Sequence, residues 1–222
     1  MKLSLPEQLV LVSLDDRTGH AVPSMGNSLH YGIAGAVVFE LLKRDLLEKT
    51  DDHLMIRHGA RTGDEVLDMA IEMIEHLKKP RPMGYLIQQI SGKAEKMKSI
   101  LLDRLVEQRI LDREEHRLLW VIHYDLYPTH NVAPENRIRK RMIGVVEGKV
   151  EMKESDCILL SLIHACELDK EIFPEDFLAE AKERIRAIIK DEEIGHAVSE
   201  IAQQLQVAVS IAISTAAIPT IL

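Results

Sequence analysis

The stretch that decides the fold is Asn27 to Glu48, NSLHYGIAGAVVFELLKRDLLE. Between Leu29 and Leu42 its only formal charge is Glu40. Ile33, Ala36, Val37, Leu41 and Leu42 recur near helical spacing, while Val38 and Phe39 lie off that stripe. A helix apolar on nearly every side sits either at the centre of a protein or in a bilayer. A bilayer span needs roughly 20 apolar residues, more than this run supplies, so it reads as a central core helix. Gly32 and Gly35 each cost about 1 kcal/mol relative to alanine in a helix. Close approach of another backbone offsets that cost; a helix start that tolerates glycine is the alternative reading.

Outward from this helix, the composition limits the remaining choices. The chain has 222 residues, enough for one large domain or two small ones. Aromatic residues make up only 4%, so the core must come from Leu, Ile, Val, Ala and Met, which favours helix packing over sheets. The net charge of −8 excludes a general attraction to nucleic acid or anionic lipid. Any such binding needs a local basic patch. Cys157 and Cys166 lie nine residues apart in one expected helix, without a C-x-x-C partner. They read as reduced, buried residues of a cytosolic protein. Met1 leads directly into amphipathic sequence with no signal peptide, so the expected location is cytoplasmic.

Local patterns give further elements. Asp15 to Gly19 reads as a turn and His20 to Val22 as a short strand. Thr50-Asp51-Asp52 is the expected tip of a hairpin. Thr62 to Glu65 fits the T-x-x-E capping box, followed by the apolar stripe Leu67, Ala70, Ile71, Ile74 and Leu77. Lys93 to Arg109 is a long helix, and after it Asp112 to His116 reads as the fully charged tip of a second hairpin. That charge argues against inserting the tip into hydrocarbon. Pro134 opens a helix that Gly148 stops. Ser155 is the expected cap of an apolar helix over Cys157 to Leu168, and Phe173-Pro174 precedes another. Val207 to Ile218 predicts a helix about 18 Å long, which reads first as a core helix, with a membrane anchor as the alternative.

The motifs of catalysis are missing. There is no H-E-x-x-H, no C-x-x-C, no G-x-S-x-G and no Walker loop, and Gly32-x-x-Gly35 is not a dinucleotide fingerprint. No cofactor and no metal are expected, and the chain reads as a non-enzyme. Two features stand out instead. One is the basic run Arg137, Arg139, Lys140 and Arg141, with Lys93, Lys96 and Lys98 on another helix. Phosphate recognition needs such clusters, and a solvated helix face is the bland alternative. The other is the helix-then-hairpin order, at Leu29 to Ile56 and at Lys93 to Ile122, which also occurs in winged-helix nucleic-acid binders. A soluble protein–protein scaffold, self-associating as a homo-oligomer, is the third reading.

The order of pieces resembles the Golgi phosphoprotein 3 family. The matching passages are LSLPEQLVLVSLDDRTG, GIAGAVVFELLKRDLLE, RTGDEVLDMAIEMI, LLDRLVEQRILDREEHRLLWVIHYDLYPT, NRIRKRMIGVV, LLSLIHACEL and AKERIRAII. The resemblance implies a mainly α fold, a single domain over residues 1–222. Central apolar helices are surrounded by amphipathic helices, with one or two β-hairpins. It implies a peripheral membrane adaptor on the cytosolic face, binding an anionic phospholipid or phosphoinositide such as phosphatidylinositol 4-phosphate. The cytosolic tails of membrane proteins are further partners, and nucleic acid is not one. The family's head-group pocket uses one Trp and three Arg. Those positions fall here at Met25 for the Trp, and at Ala34, Glu95 and Lys98 for the Arg. Only Lys98 keeps the charge and Glu95 reverses it; a one-turn slip brings in Lys96 or Lys93. No basic segment precedes the first motif, as expected of a prokaryotic member.

Overall fold

The computed structural model describes residues 3–15, 18–20, 28–50, 52–118, 122–190 and 196–216. The first part of the chain forms α1 (Leu5–Val12), α2 (Ser28–Lys43), β1 (Leu47–Thr50), β2 (His53–Ile56), α3 (Glu65–Glu75), β3 (Arg81–Pro82), α4 (Met83–Ser91) and α5 (Ala94–Glu107). The second forms β4 (Glu114–Leu118), β5 (Ile122–Leu126), α6 (Ala133–Val146), α7 (Glu154–Ala165), α8 (Asp169–Ile172), α9 (Glu175–Lys190) and α10 (His196–Ala216). The fold is mainly α, with two small antiparallel sheets of order β1-β2-β3 and β4-β5.

Helix α2 is the centre of the core. Twelve of its 16 residues are buried, and α1, α3, α4, α5, α7 and α10 pack around it. Ile33, Val37 and Leu41 are wholly buried, each contributing roughly 1.5–3 kcal/mol. Outside the core, α2 keeps only His30, Tyr31, Leu42 and Lys43, at its two ends, and so lacks the continuous exposed face of a recognition helix. The glycines answer to side chains rather than to another backbone. A Cβ on Gly32 would lie 2.6 Å from Cys166 Sγ and 3.0 Å from Leu9 Cδ2. One on Gly35 would lie 3.0 Å from Leu162 Cδ2. Both cysteines are buried thiols outside any disulfide, and burial pushes the Cys166 thiol up to about 12, which makes it inert at neutral pH. Glu40, the one charge in this stretch, accepts the Leu5 amide at 3.2 Å, and a Ser4–Glu7 capping box fixes the same end of α1.

The first hairpin closes between Thr50 and His53 as expected, and a third strand, β3, pairs with β2. The cap of α3 differs from the sequence reading. Asp64, not Thr62, is the N-cap, and its carboxylate accepts from Val66 and Leu67 N–H. Thr62 instead donates to Asp68 from both its amide and its hydroxyl. The T-x-x-E pattern was met by residues whose backbone had not yet entered the helix. The turn at Asp15–Gly19 is present, closed by Asp15 and Thr18. The strand expected at His20–Val22 falls mostly outside the described residues.

The second hairpin is corrected by its register. Glu114 pairs with Leu126, His116 with Tyr124 and Leu118 with Ile122. The charged segment therefore runs along β4 and is not the tip. The connection falls at 119–121, outside the described residues, where the sequence is Leu-Trp-Val. The charge-based objection to membrane insertion at the tip does not stand. Arg113, just before β4, pairs across the hairpin with Asp125 and reaches Asp103 on α5, while His116 meets Glu114 on its own strand.

Helix α6 ends as its glycine predicts. Gly148 has φ +74°, its N–H reaches Val145 O, and the next amide, Lys149, reaches Gly144 O, a Schellman closure. Helix α7 starts earlier than expected. It begins at Glu154, and Asp156 rather than Ser155 accepts an end amide, that of Lys153 at 2.8 Å. Helix α10 is longer than the Val207 to Ile218 reading at its start and is only half core. Ala202, Leu205, Val209 and Ala212 are buried, whereas Val207 and Ile211 are 56% and 58% exposed. Among the described residues no helix is long and apolar enough to cross a membrane.

Candidate functional site

The start of α5 lies against the start of α2, and three side chains meet there. His30 Nε2 is 2.9 Å from Glu95 Oε2, and Lys98 Nζ is 2.8 Å from the same oxygen. His30 is one turn before Ala34 on α2 and shares its face; Lys98 is one turn after Glu95 on α5. Two nitrogen groups converging on one oxygen is the arrangement that holds an anion. Here the anion is internal. Burial pushes the Glu95 carboxyl up, but hydrogen bonds and charge from Lys98 and His30 outweigh it and hold the carboxyl below its ordinary range. The start of α5 adds to this, because a helix N-terminus favours negative charge.

The residues singled out from the sequence do not all come together. Glu95 and Lys98 share the site with His30. Ala34 is wholly buried and presents nothing to a ligand. Met25 lies outside the described residues. Lys96 points elsewhere, since two residues along a helix turn it about 200°. It lines a shallow depression with Lys93, Glu72 and His76, so a one-turn slip of the alignment does not replace the lost arginines at this site. His30 was missed. Its signal was available: it stands four residues before Ala34, on one face of a helix whose other residues are nearly all apolar.

The second basic cluster is also rearranged. Arg139 is held by the buried carboxylate of Glu135, one turn earlier. Arg141 grips Asp156 with Nε at 2.8 Å and Nη2 at 2.5 Å, and also donates to Glu151 O. Arg137 and Lys140 remain exposed, with no ion-pair partner among the described residues. The four residues are thus two structural cations and two open ones. Among the described residues, no group of three or more His, Cys, Asp or Glu side chains is arranged to hold a metal ion.

A sequence model of the Golgi phosphoprotein 3 (GPP34) family matches residues 5–205. The match covers every helix from α1 to α9 and nearly half of α10. The chain belongs to this family.

Proposed function

We propose that this member of the Golgi phosphoprotein 3 family is a non-enzymatic peripheral adaptor. It binds an anionic lipid head group at the start of α5, with Glu95 standing in for that anion until a ligand displaces it. The observation that carries the reading is the convergence of His30 and Lys98 on one oxygen of an exposed carboxylate. A phosphomonoester carries about −1.5 to −2 charges and three acceptor oxygens. It therefore competes for both donors with more charge than a carboxylate offers. Each charge-assisted hydrogen bond adds roughly 1.5–3 kcal/mol. With only two such donors, affinity for phosphatidylinositol 4-phosphate is modest. The same reading places the protein in the cytoplasm, on the cytosolic face of a membrane, with the tails of membrane proteins as further partners.

Flotation with vesicles carrying phosphatidylinositol 4-phosphate, beside vesicles of equal charge made with phosphatidylserine, tests it. Preference for the phosphoinositide, lost in Lys98→Ala and in His30→Ala but kept in Lys96→Ala, is the expected result. Equal binding to both vesicle types, or no binding to either, overturns the head-group assignment.

A further inference from the structure

A separate cleft lies near the other end of α5. A cleft of about 740 Å³ opens between α1, α6 and the start of α7. That is within the range of about 300–1,000 Å³ usual for small-molecule sites. Lys98 is ten residues, about 15 Å along the helix, from Gln108 in the cleft wall. The two sites share no residue.

The cleft has an apolar side and a charged side. Leu3, Ile110, Ile138 and Met142 supply the first, the last three buried to 8% exposure or less. Arg137, Arg141 and Lys153 supply the second, against one carboxylate, Asp156. That excess of positive charge occurs in a chain of net charge −8. Asp156 is already committed: it is buried, it accepts the Lys153 amide, and it holds Arg141 through two bonds. This fixes the Arg141 guanidinium at the cleft while leaving its Nη1 unbonded among the described residues. Arg137, one helical turn earlier, and the Lys153 ammonium have no ion-pair partner there. Solvated surface cations are common, but here Arg137 and Lys153 flank a cleft edged by Leu3 and Ile138, and its one carboxylate is already engaged by Arg141.

We infer that this cleft binds a small amphiphilic anion, an apolar chain ending in a carboxylate or phosphate, with Arg137 and Lys153 on the head and Leu3 and the edge of Ile138 under the chain. The inference does not rest on the head-group reading of the α5 start.

The test is titration calorimetry with decanoate and with decyl phosphate, each below its micellar concentration, and with decyl glucoside as the uncharged probe. Saturable binding of one or both anions at one site, and none of the glucoside, is the expected result; the tighter anion identifies the head. Arg137→Glu with Lys153→Glu should weaken that binding by about tenfold or more. Lys78→Glu with Lys79→Glu, the same charge change on the exposed loop after α3, beside the opposite end of α5, should leave it within about twofold, because exposed charges beyond a Debye length are screened. Binding of neither anion, or equal loss in the two double variants, overturns the site. Vesicle flotation of the Arg137→Glu, Lys153→Glu protein separates the two proposals, since the α5-start reading predicts that its preference for phosphoinositide persists.

Discussion

Two carboxylates hold basic side chains near opposite ends of α5, and they differ in exposure. The Asp156 side chain is 7% exposed and grips Arg141; the Glu95 side chain is 69% exposed and meets Lys98 and His30. A buried carboxylate cannot leave its cation without stranding a charge away from water, which costs several kcal/mol. An exposed one exchanges its partner for water at little cost. The same pairing chemistry therefore gives a permanent structural clamp between α6 and α7, and a displaceable occupant at the α5 start. Asp64, 24% exposed and bonded through both oxygens to Arg104, lies between the two.

This ordering predicts a graded series. Asp156→Ala should destabilise most, by about 2–4 kcal/mol, because it removes an α7 end contact and leaves Arg141 without its partner. Asp64→Ala should cost about 1–2 kcal/mol, through the lost N-cap of α3 and the lost tie to α5. Glu95→Gln should cost less than about 1 kcal/mol. Urea unfolding of the three variants checks the order, and a Glu95 variant as costly as the Asp156 one would break the comparison.

Acid supplies a finer test. At Asp64, burial raises the carboxyl, but the Arg104 hydrogen bond and charge, with the Val66 and Leu67 amides, bring it below its ordinary value of 3.8. Glu95 is likewise held below 4.5. A depressed carboxyl contributes stability that is present above its unfolded value and lost as pH falls through its folded one. Stability should therefore decline below about pH 4.5, and Asp64→Asn should lose less over that window than the parent protein. A parallel decline in both would show that Asp64 contributes nothing to it.

Much of the fold was legible because it is local. The all-apolar run of α2, the stripe Ala181, Ile185, Ile188 and Ile189 of α9, of which Ile188 is only half-buried, and Gly148 at φ +74° follow from neighbours a few residues apart. The errors came where two rules competed or where partners are distant. Thr62 and Asp64 both suit a cap, and only the backbone path decides between them. The second hairpin slipped because its charges read as a turn, when the register places them along β4. The division of α10 into buried and exposed faces depends on α7 and α4 alongside it. At the site, Glu95 and Lys98 were found, and their mutual bond follows from i, i+3 spacing. The Arg139–Glu135 pair was equally available at i, i+4 and went unread. The contact of His30 with Glu95 spans 65 residues and that of Arg141 with Asp156 spans 15, so no local pattern gives them.

The central claim is that Glu95 occupies the position of an external anion. It is tested most directly by measuring flotation of the parent protein and of Glu95→Gln on phosphatidylinositol 4-phosphate vesicles at one ionic strength. The account predicts that the variant binds more tightly by up to about fivefold, the equivalent of an internal pair of about 1 kcal/mol, since Lys98 and His30 are released from an internal competitor. Unchanged or weaker binding would contradict it and reduce the His30–Glu95–Lys98 group to a surface ion pair between two helices.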